Sequence, residues 1–202
     1  IPESNGVVLQ ALCTLAGASA ELGPRLPDEL DAAARAFAEA FERADLVVTV
    51  GGMSVGDHDL VRPALERAGA SLDFWKVRIQ PGKPLAFGRH GNTFVLGLPG
   101  NPVSAQITFS LFGMPLLRAL CADRAPLPER ISVTLGHDLA RKPGRLGVYR
   151  ARLFGSEAWL DHNQSSGATT SLARAAALVF VPAESAHCPS GTRLEAIRLD
   201  DV

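Results

Sequence analysis

The chain reads as an α/β domain followed by a small all-β barrel. Three observations predict this. Over the first ~120 residues, helix-period and strand-type segments alternate. The stretch from Asp123 to Glu129, with Pro126 and Pro128, breaks that rhythm. Beyond it only short β-type runs recur, and no long helix is predicted. The expected domains therefore cover residues 1–124 and 125–202.

Taken in order, Ser4 and Asn5 can cap a first helix that carries Val8, Leu9, Leu12 and Leu15 on one stripe and closes near Gly17. Pro27 and Asp28 open a second, with Leu30, Ala34, Phe37 and Phe41 three to four residues apart. Residues 46–50 form a continuous apolar run, the signature of a strand buried on both faces. Asp59 can cap a short helix ending at Ala68, with Gly69 at its C′ position. Residues 72–79 read as the next strand, and 85–88 with 93–96 as a pair turning at His90-Gly91-Asn92. A long helix is predicted from about Pro102 to Leu120, with Asn101 as N-cap and Pro102 in the first turn. The barrel strands are placed at 131–135, 147–153, 177–181 and 193–199.

Composition narrows the function classes. Apolar residues make up 47% and charged residues 20% of the 202, which suits a chain with a substantial core. No run approaches the ~20 apolar residues of a membrane span. Residues 7–20 come nearest, but Gln10 and Thr14 interrupt them, and no basic leader or cleavage site marks a signal peptide. The formal net charge of −1 draws the chain toward neither nucleic acid nor anionic lipid, so neither is an expected partner. Cys13, Cys121 and Cys188 form no CxxC, which argues against a disulfide framework or a cysteine zinc site and for a reducing, cytoplasmic setting. The first residue is Ile1 rather than Met, as expected of a fragment or a processed product. Among 20 basic residues only Lys76, Lys83 and Lys142 are lysines, each a compact point charge.

Three loops of the first domain fall where open α/β sheets bind ligands, beyond strand ends. In Gly51-Gly52-Met53-Ser54-Val55-Gly56-Asp57-His58-Asp59, paired glycines let backbone N–H groups approach an anion, and Ser54 adds a hydroxyl donor. A plain strand-to-helix turn would use the same residues. No Walker GK[ST] is present. Gln80-Pro81-Gly82-Lys83-Pro84 is a stiff turn that holds one ammonium group, as an anion ligand or as a solvated turn residue. Leu98-Pro99-Gly100-Asn101-Pro102-Val103-Ser104 sets a helix N-terminus directly behind a strand. Asp28, Asp57 and Asp59 are candidates to hold a hard divalent cation, although Asp28 and Asp59 could equally be helix caps. The histidines at 58, 90, 137, 162 and 187 show no ligand spacing, and GxSxG is absent. Arg141, Lys142, Arg145, Arg150 and Arg152 occur without an intervening acid, predicting either a positive face for an anion or an ordinary barrel surface.

The segment Val50-Gly51-Gly52-Met53-Ser54-Val55-Gly56 is the first of five motifs in a specific order. Phe74-Trp75-Lys76-Val77 leads into Pro81-Gly82-Lys83-Pro84. Gly97-Leu98-Pro99-Gly100-Asn101-Pro102-Val103-Ser104 follows, then Gln164-Ser165-Ser166-Gly167 and Ser171-Leu172-Ala173. With these, nearly the whole chain resembles the molybdopterin molybdenumtransferase (molybdenum insertase) family, which includes the C-terminal domain of gephyrin. The resemblance implies a three-layer αβα molybdopterin-binding domain, lacking its first strand, ahead of the family's C-terminal β-barrel.

It also implies a role in molybdenum cofactor biosynthesis. Molybdate and adenylylated molybdopterin would be the substrates, AMP would leave as molybdenum passes to the dithiolene, and Mg²⁺ would assist. By position, Asp28 and Asp59 match the family's essential aspartates and would serve as catalytic residues and metal ligands. The implied ligand-binding positions are Gly51, Gly52, Ser54, Gly56, Pro81, Gly82, Lys83, Pro84, Pro99, Gly100, Asn101, Pro102 and Ser104. Lys83 and Ser104 match oxyanion-binding residues, and Arg150 is a looser match on the barrel side. Gln80 stands where many members carry a lysine. The family's α/β domain begins with a strand and a TGDEL-type acidic loop ahead of the segment at Ile1, and two further domains precede that. The chain is thus expected to fold but not to turn over alone. The resemblance implies a homodimer in the full-length enzyme and molybdopterin adenylyltransferase as upstream partner. Two alternatives are that adenylyltransferase itself, which shares the α/β domain but not the barrel, and a non-catalytic scaffold of the same fold.

Overall fold

A computed structural model describes residues 4–52 and 60–200. The chain divides into two compact units, residues 1–77 with 82–122 and residues 78–81 with 123–202. The domain boundary expected from the sequence differs, placing 78–81 and 123–124 in the first domain.

The first unit opens with α1 (Asn5–Leu15), α2 (Leu30–Phe41), β1 (Leu46–Val50) and α3 (Val61–Arg67). β2 (Ser71–Phe74), β4 (Ala86–His90) and β5 (Thr93–Leu98) complete a four-stranded sheet in the order β1-β5-β4-β2. β1 and β5 run parallel, in register from Leu46 with Phe94 to Val50 with Leu98. β4 and β5 form the expected hairpin across Gly91 and Asn92, with Gly91 at φ +56°.

α2 forms where the apolar spacing predicts it. Ala33, Ala34, Phe37 and Phe41 are buried, and they join Val47, Ala64, Leu65, Ala70 and Val95 in one core. Its cap differs from the expectation. Glu29, not Asp28, occupies the N-cap and accepts from the Asp31 and Ala32 amides, both at 2.8 Å. The longer side chain reaches two orphan N–H groups at once. Asp28 is left exposed and outside the cap.

Other expectations are corrected. In α1 the buried residues are Leu9 and Cys13, continued by Ala16 at the C-cap, while Val8 and Leu15 face outward. Cysteine acts here as a small hydrophobe in the i, i+4 line. Ser4 makes no side-chain cap bond, since its own backbone is already helical at φ −103°, ψ −24°. β1 shows alternating rather than two-faced burial. The strand expected over 72–79 splits: β2 ends at Phe74, after a register shift between Leu72 and Phe74, and β3 (Ile79–Gln80) pairs in the second unit. The long helix is present as α4 (Pro102–Thr108), a π-helical turn (Phe109–Gly113) and α5 (Met114–Leu120). A side chain at Gly113 would stand 2.3 Å from the Phe109 ring, so glycine is what lets the wide turn close.

In the second unit β6 (Ile131–Leu135), β8 (Leu146–Phe154), β10 (Ala177–Val181) and β12 (Arg193–Arg198) stand close to their expected positions. The sequence reading missed β7 (Leu139–Ala140), β9 (Glu157–Leu160) and β11 (His187–Cys188), which are too short for alternation to register. It also missed the five-residue α6 (Thr169–Ala173). The order β10-β12-β6-β9-β8 closes on itself because β10 also pairs with β8, and β3 adds beside β8. Closure removes the exposed edges of those five strands. The core inside holds Val133, Leu135, Ala151, Ala158, Leu160, Ala177, Val179, Val181, Leu194 and Ala196. Alanines at four of these positions fit a narrow lumen.

Candidate functional site

Parallel pairing of Val50 with Leu98 brings the ends of β1 and β5 side by side. The Gly51-Gly52 and Pro99-Gly100-Asn101 segments therefore leave the sheet at one edge. Antiparallel pairing of Ala86 with Gly97 puts the start of β4 at the same edge, and Gly82-Lys83-Pro84 leads into it. A twelve-residue helix spans ~18 Å, about the length of β1. The last turn of α2 is tied to the far edge by Thr93, whose Oγ1 donates to the Phe41 and Ala44 carbonyls at 3.1 and 2.8 Å. The first residues of α2, with Asp28 ahead of them, thus lie toward the loop edge. This is the strand-end position at which open α/β sheets take their ligands.

Glycine is required where the two loops meet. Gly51 has φ +81°, and its N–H donates to the Leu98 carbonyl at 3.0 Å. A Cβ on Gly100 would stand 3.3 Å from the Gly51 Cα, so two backbones approach without side chains between them. Asn5, at the start of α1, donates from Nδ2 to the Gly100 carbonyl at 3.1 Å. Behind this loop Ala105 N–H to Asn101 C=O, 2.9 Å, is the first intrahelical bond of α4. Ser104 is buried on that first turn, and Pro102 occupies N1. Lys83 is exposed, with Gly82 beside it buried at φ +109°. Pro84 is half-buried, and the Gln80–Pro81 peptide is cis.

Ser54, Gly56, Asp57, His58 and Asp59 lie outside the described residues. Among the described residues no three His, Cys, Asp or Glu side chains cluster as a metal site. Mg²⁺ needs only one or two carboxylates when water and phosphate supply the rest. Asp28, freed from capping by Glu29, fits that requirement.

The barrel unit changes the reading of its basic run. Arg150 is 1% exposed, so it belongs to no surface. Its Nη2 donates to the Asn163 and Ser165 carbonyls at 2.8 and 3.1 Å. Gln164 answers from the loop: Oε1 accepts from the Arg150 N–H at 3.1 Å, and Nε2 donates to the Arg150 and Asp161 carbonyls at 2.9 and 2.8 Å. The two side chains clamp residues 161–165 onto β8. Among the described residues, Nε and Nη1 of Arg150 are buried without a partner. Burial pushes its pKa down, opposed by Asp161. Unpaired buried donors are uncommon, and a ligand oxygen would complete them. Arg141 is half-buried and donates to the Val181, Pro182 and Arg145 carbonyls. The expected positive face over residues 141–152 is therefore not one surface: Arg141 and Arg150 are structural brackets, while Lys142 and Arg152 are exposed. Sequence reasoning did not assign Asn5 or Gln164 these roles, because both act on backbone atoms of distant residues. The Ser-Asn pair opening α1 was the one available signal for Asn5.

The family described as "Probable molybdopterin binding domain" matches residues 1–119, and the "MoeA C-terminal region (domain IV)" matches residues 132–199. A molybdopterin molybdenumtransferase from Haemophilus influenzae is 40% identical over 143 residues, covering 70% of this chain and 35% of that protein. One from Staphylococcus aureus is 28% identical over 201 residues, 98% of this chain and 48% of the relative. The crystal structure of a molybdopterin biosynthesis MoeA protein from Pyrococcus horikosii superposes with a TM-score of 0.81 at 25% identity, over 98% of this chain and 48% of that one. The chain thus spans between a third and a half of the length of these relatives.

Proposed function

The chain belongs to the molybdopterin-binding domain family, with a MoeA C-terminal region behind it, and on that premise we propose that it supplies the ligand-binding part of a molybdenum-inserting transferase. The observation that carries this is the shared edge of β1, β4 and β5, where two glycine backbones meet and the loop holding the exposed Lys83 leads into β4. Backbone N–H groups and one ammonium group suit an oxyanion such as molybdate. Adenylylated molybdopterin brings a second anion to the same edge, its phosphate lying against the backbone of Gly51, Gly52 and Gly100.

Asp28, with Asp59 outside the described residues, would hold Mg²⁺. A divalent cation held there would supply charge neutralisation at phosphate oxygens. Lys83 and the Ser104 hydroxyl orient molybdate; Arg150, in the second unit, keeps two buried donors, Nε and Nη1, without a partner among the described residues. The barrel favours this reading over a molybdopterin adenylyltransferase, since residues 132–199 match the MoeA C-terminal region. In the same proposal the full-length protein works as a homodimer, takes its substrate from that adenylyltransferase, and resides in the cytoplasm. The free state of Cys13, Cys121 and Cys188 suits a reducing compartment.

The test is equilibrium dialysis of the chain against adenylylated molybdopterin, followed by molybdate and Mg²⁺. The chain is expected to retain the adenylylated pterin and to release AMP far more slowly than a full-length relative. Failure to retain it contradicts the proposal.

A further inference from the structure

Asn5 has a use that helix capping does not explain. Its Nδ2 reaches 95 residues along the sequence to the Gly100 carbonyl, at 3.1 Å. A trans peptide is planar, so its C=O and the following N–H point in opposite directions. Holding the Gly100 oxygen therefore fixes the whole plane of the peptide that joins Gly100 to Asn101. Gly100 cannot fix that plane itself, because a residue without Cβ turns freely. Nor does Gly51 press on it through a side chain: the two residues meet backbone to backbone, where even a methyl group on Gly100 would stand 3.3 Å from the Gly51 Cα. The gap between the β1 and β5 loops is thus lined by glycine backbone, with the Gly51 N–H bonded to the Leu98 carbonyl on one side. One side-chain bond from α1 restrains it.

We propose that Asn5 is a positioning residue, whose bond to the Gly100 carbonyl sets the spacing between the Gly51 and Gly100 loops and so tunes affinity for an oxyanion there. This rests on reading that edge as the oxyanion site. Asn5 itself touches no reacting atom. Its effect passes through the Gly100 peptide.

The experiment uses sodium molybdate with the chain and three variants, read by calorimetry and by amide NMR shifts. Asn5→Leu keeps the size but not the donor, and Asn5→Ala removes the side chain in case leucine perturbs folding. Asn5→Gln returns an amide donor on a longer arm. Losing one neutral hydrogen bond is expected to weaken molybdate binding about three- to tenfold. Without ligand, the Gly51 and Gly100 amide resonances are expected to move in the leucine and alanine variants. Glutamine should restore most of both signals, which a general packing role would not allow. Unchanged affinity, or unmoved Gly51 and Gly100 resonances, in either donorless variant overturns the inference alone. If the unsubstituted chain binds no molybdate, the oxyanion reading fails and the inference falls with it.

Discussion

Replacing Gln164 by alanine removes three hydrogen bonds that hold residues 161–165 against β8. Each intramolecular bond contributes about 0.5–1.5 kcal/mol net, so the three together are bounded near 1.5–4.5 kcal/mol. Two features of the structure narrow this. The Arg150 N–H is buried with its residue, so losing its acceptor leaves a donor with poor access to water. Gln164 itself is half-buried, and water can replace part of what Nε2 gives. The expected cost is about 2–3 kcal/mol, a large share of the marginal stability of a domain. Urea unfolding followed by circular dichroism measures it as a lower midpoint with an unchanged slope. Hydrogen exchange at the Arg150 amide should quicken in parallel. Gln164→Glu separates bonding from packing, since its carboxylate can still accept from the Arg150 amide but can no longer donate to the two carbonyls. It should fall at or below alanine despite its size. A loss under about 0.5 kcal/mol for Gln164→Ala, typical of a plain surface site, would refute the clamp.

Because Glu29 holds the α2 cap, Asp28→Asn should change unfolding free energy by less than about 0.5 kcal/mol. The same substitution in a full-length relative should stop AMP release, so a folded variant with normal release would remove Asp28 from the metal site. The Asp31 and Ala32 amides hold the Glu29 carboxyl below its ordinary value. Its contribution to stability is therefore present above the unfolded value and is lost as pH falls through the folded one. Glu29→Gln should flatten the acid limb of the stability curve below about pH 4.3, and an acid limb identical to that of the unsubstituted chain would show that the cap is not titrating there.

Much of the fold is legible in the sequence because its signals are local. The run at 46–50, the hairpin at Gly91 and the Asn101-Pro102 helix start each depend on neighbours within a few residues. What the sequence conceals depends on distant partners. The α2 cap was misplaced by one residue because aspartate is the commoner cap, while two amides selected the longer glutamate. The strand expected over 72–79 stops at Phe74, and only Ile79 within it returns to strand, paired with β8. The basic run over 141–152 looked like a surface because charge is normally solvated. Two of its arginines instead turn inward and donate to backbone carbonyls, Arg141 to Val181 and Arg150 to Asn163. At the candidate site the glycine loops and Lys83 were visible as motifs. Their gathering at one sheet edge required the strand order, and Asn5 required the contact itself.

Calorimetric titration of molybdate into the chain, beside Lys83→Ala and the exposed-lysine control Lys142→Ala, tests the central claim most directly. A charge-assisted bond contributes about 1.5–3 kcal/mol. Lys83→Ala is therefore expected to weaken binding roughly ten- to a hundredfold while Lys142→Ala leaves it unchanged. Equal affinity for molybdate in the chain and in Lys83→Ala, or no binding by the unsubstituted chain, contradicts the account.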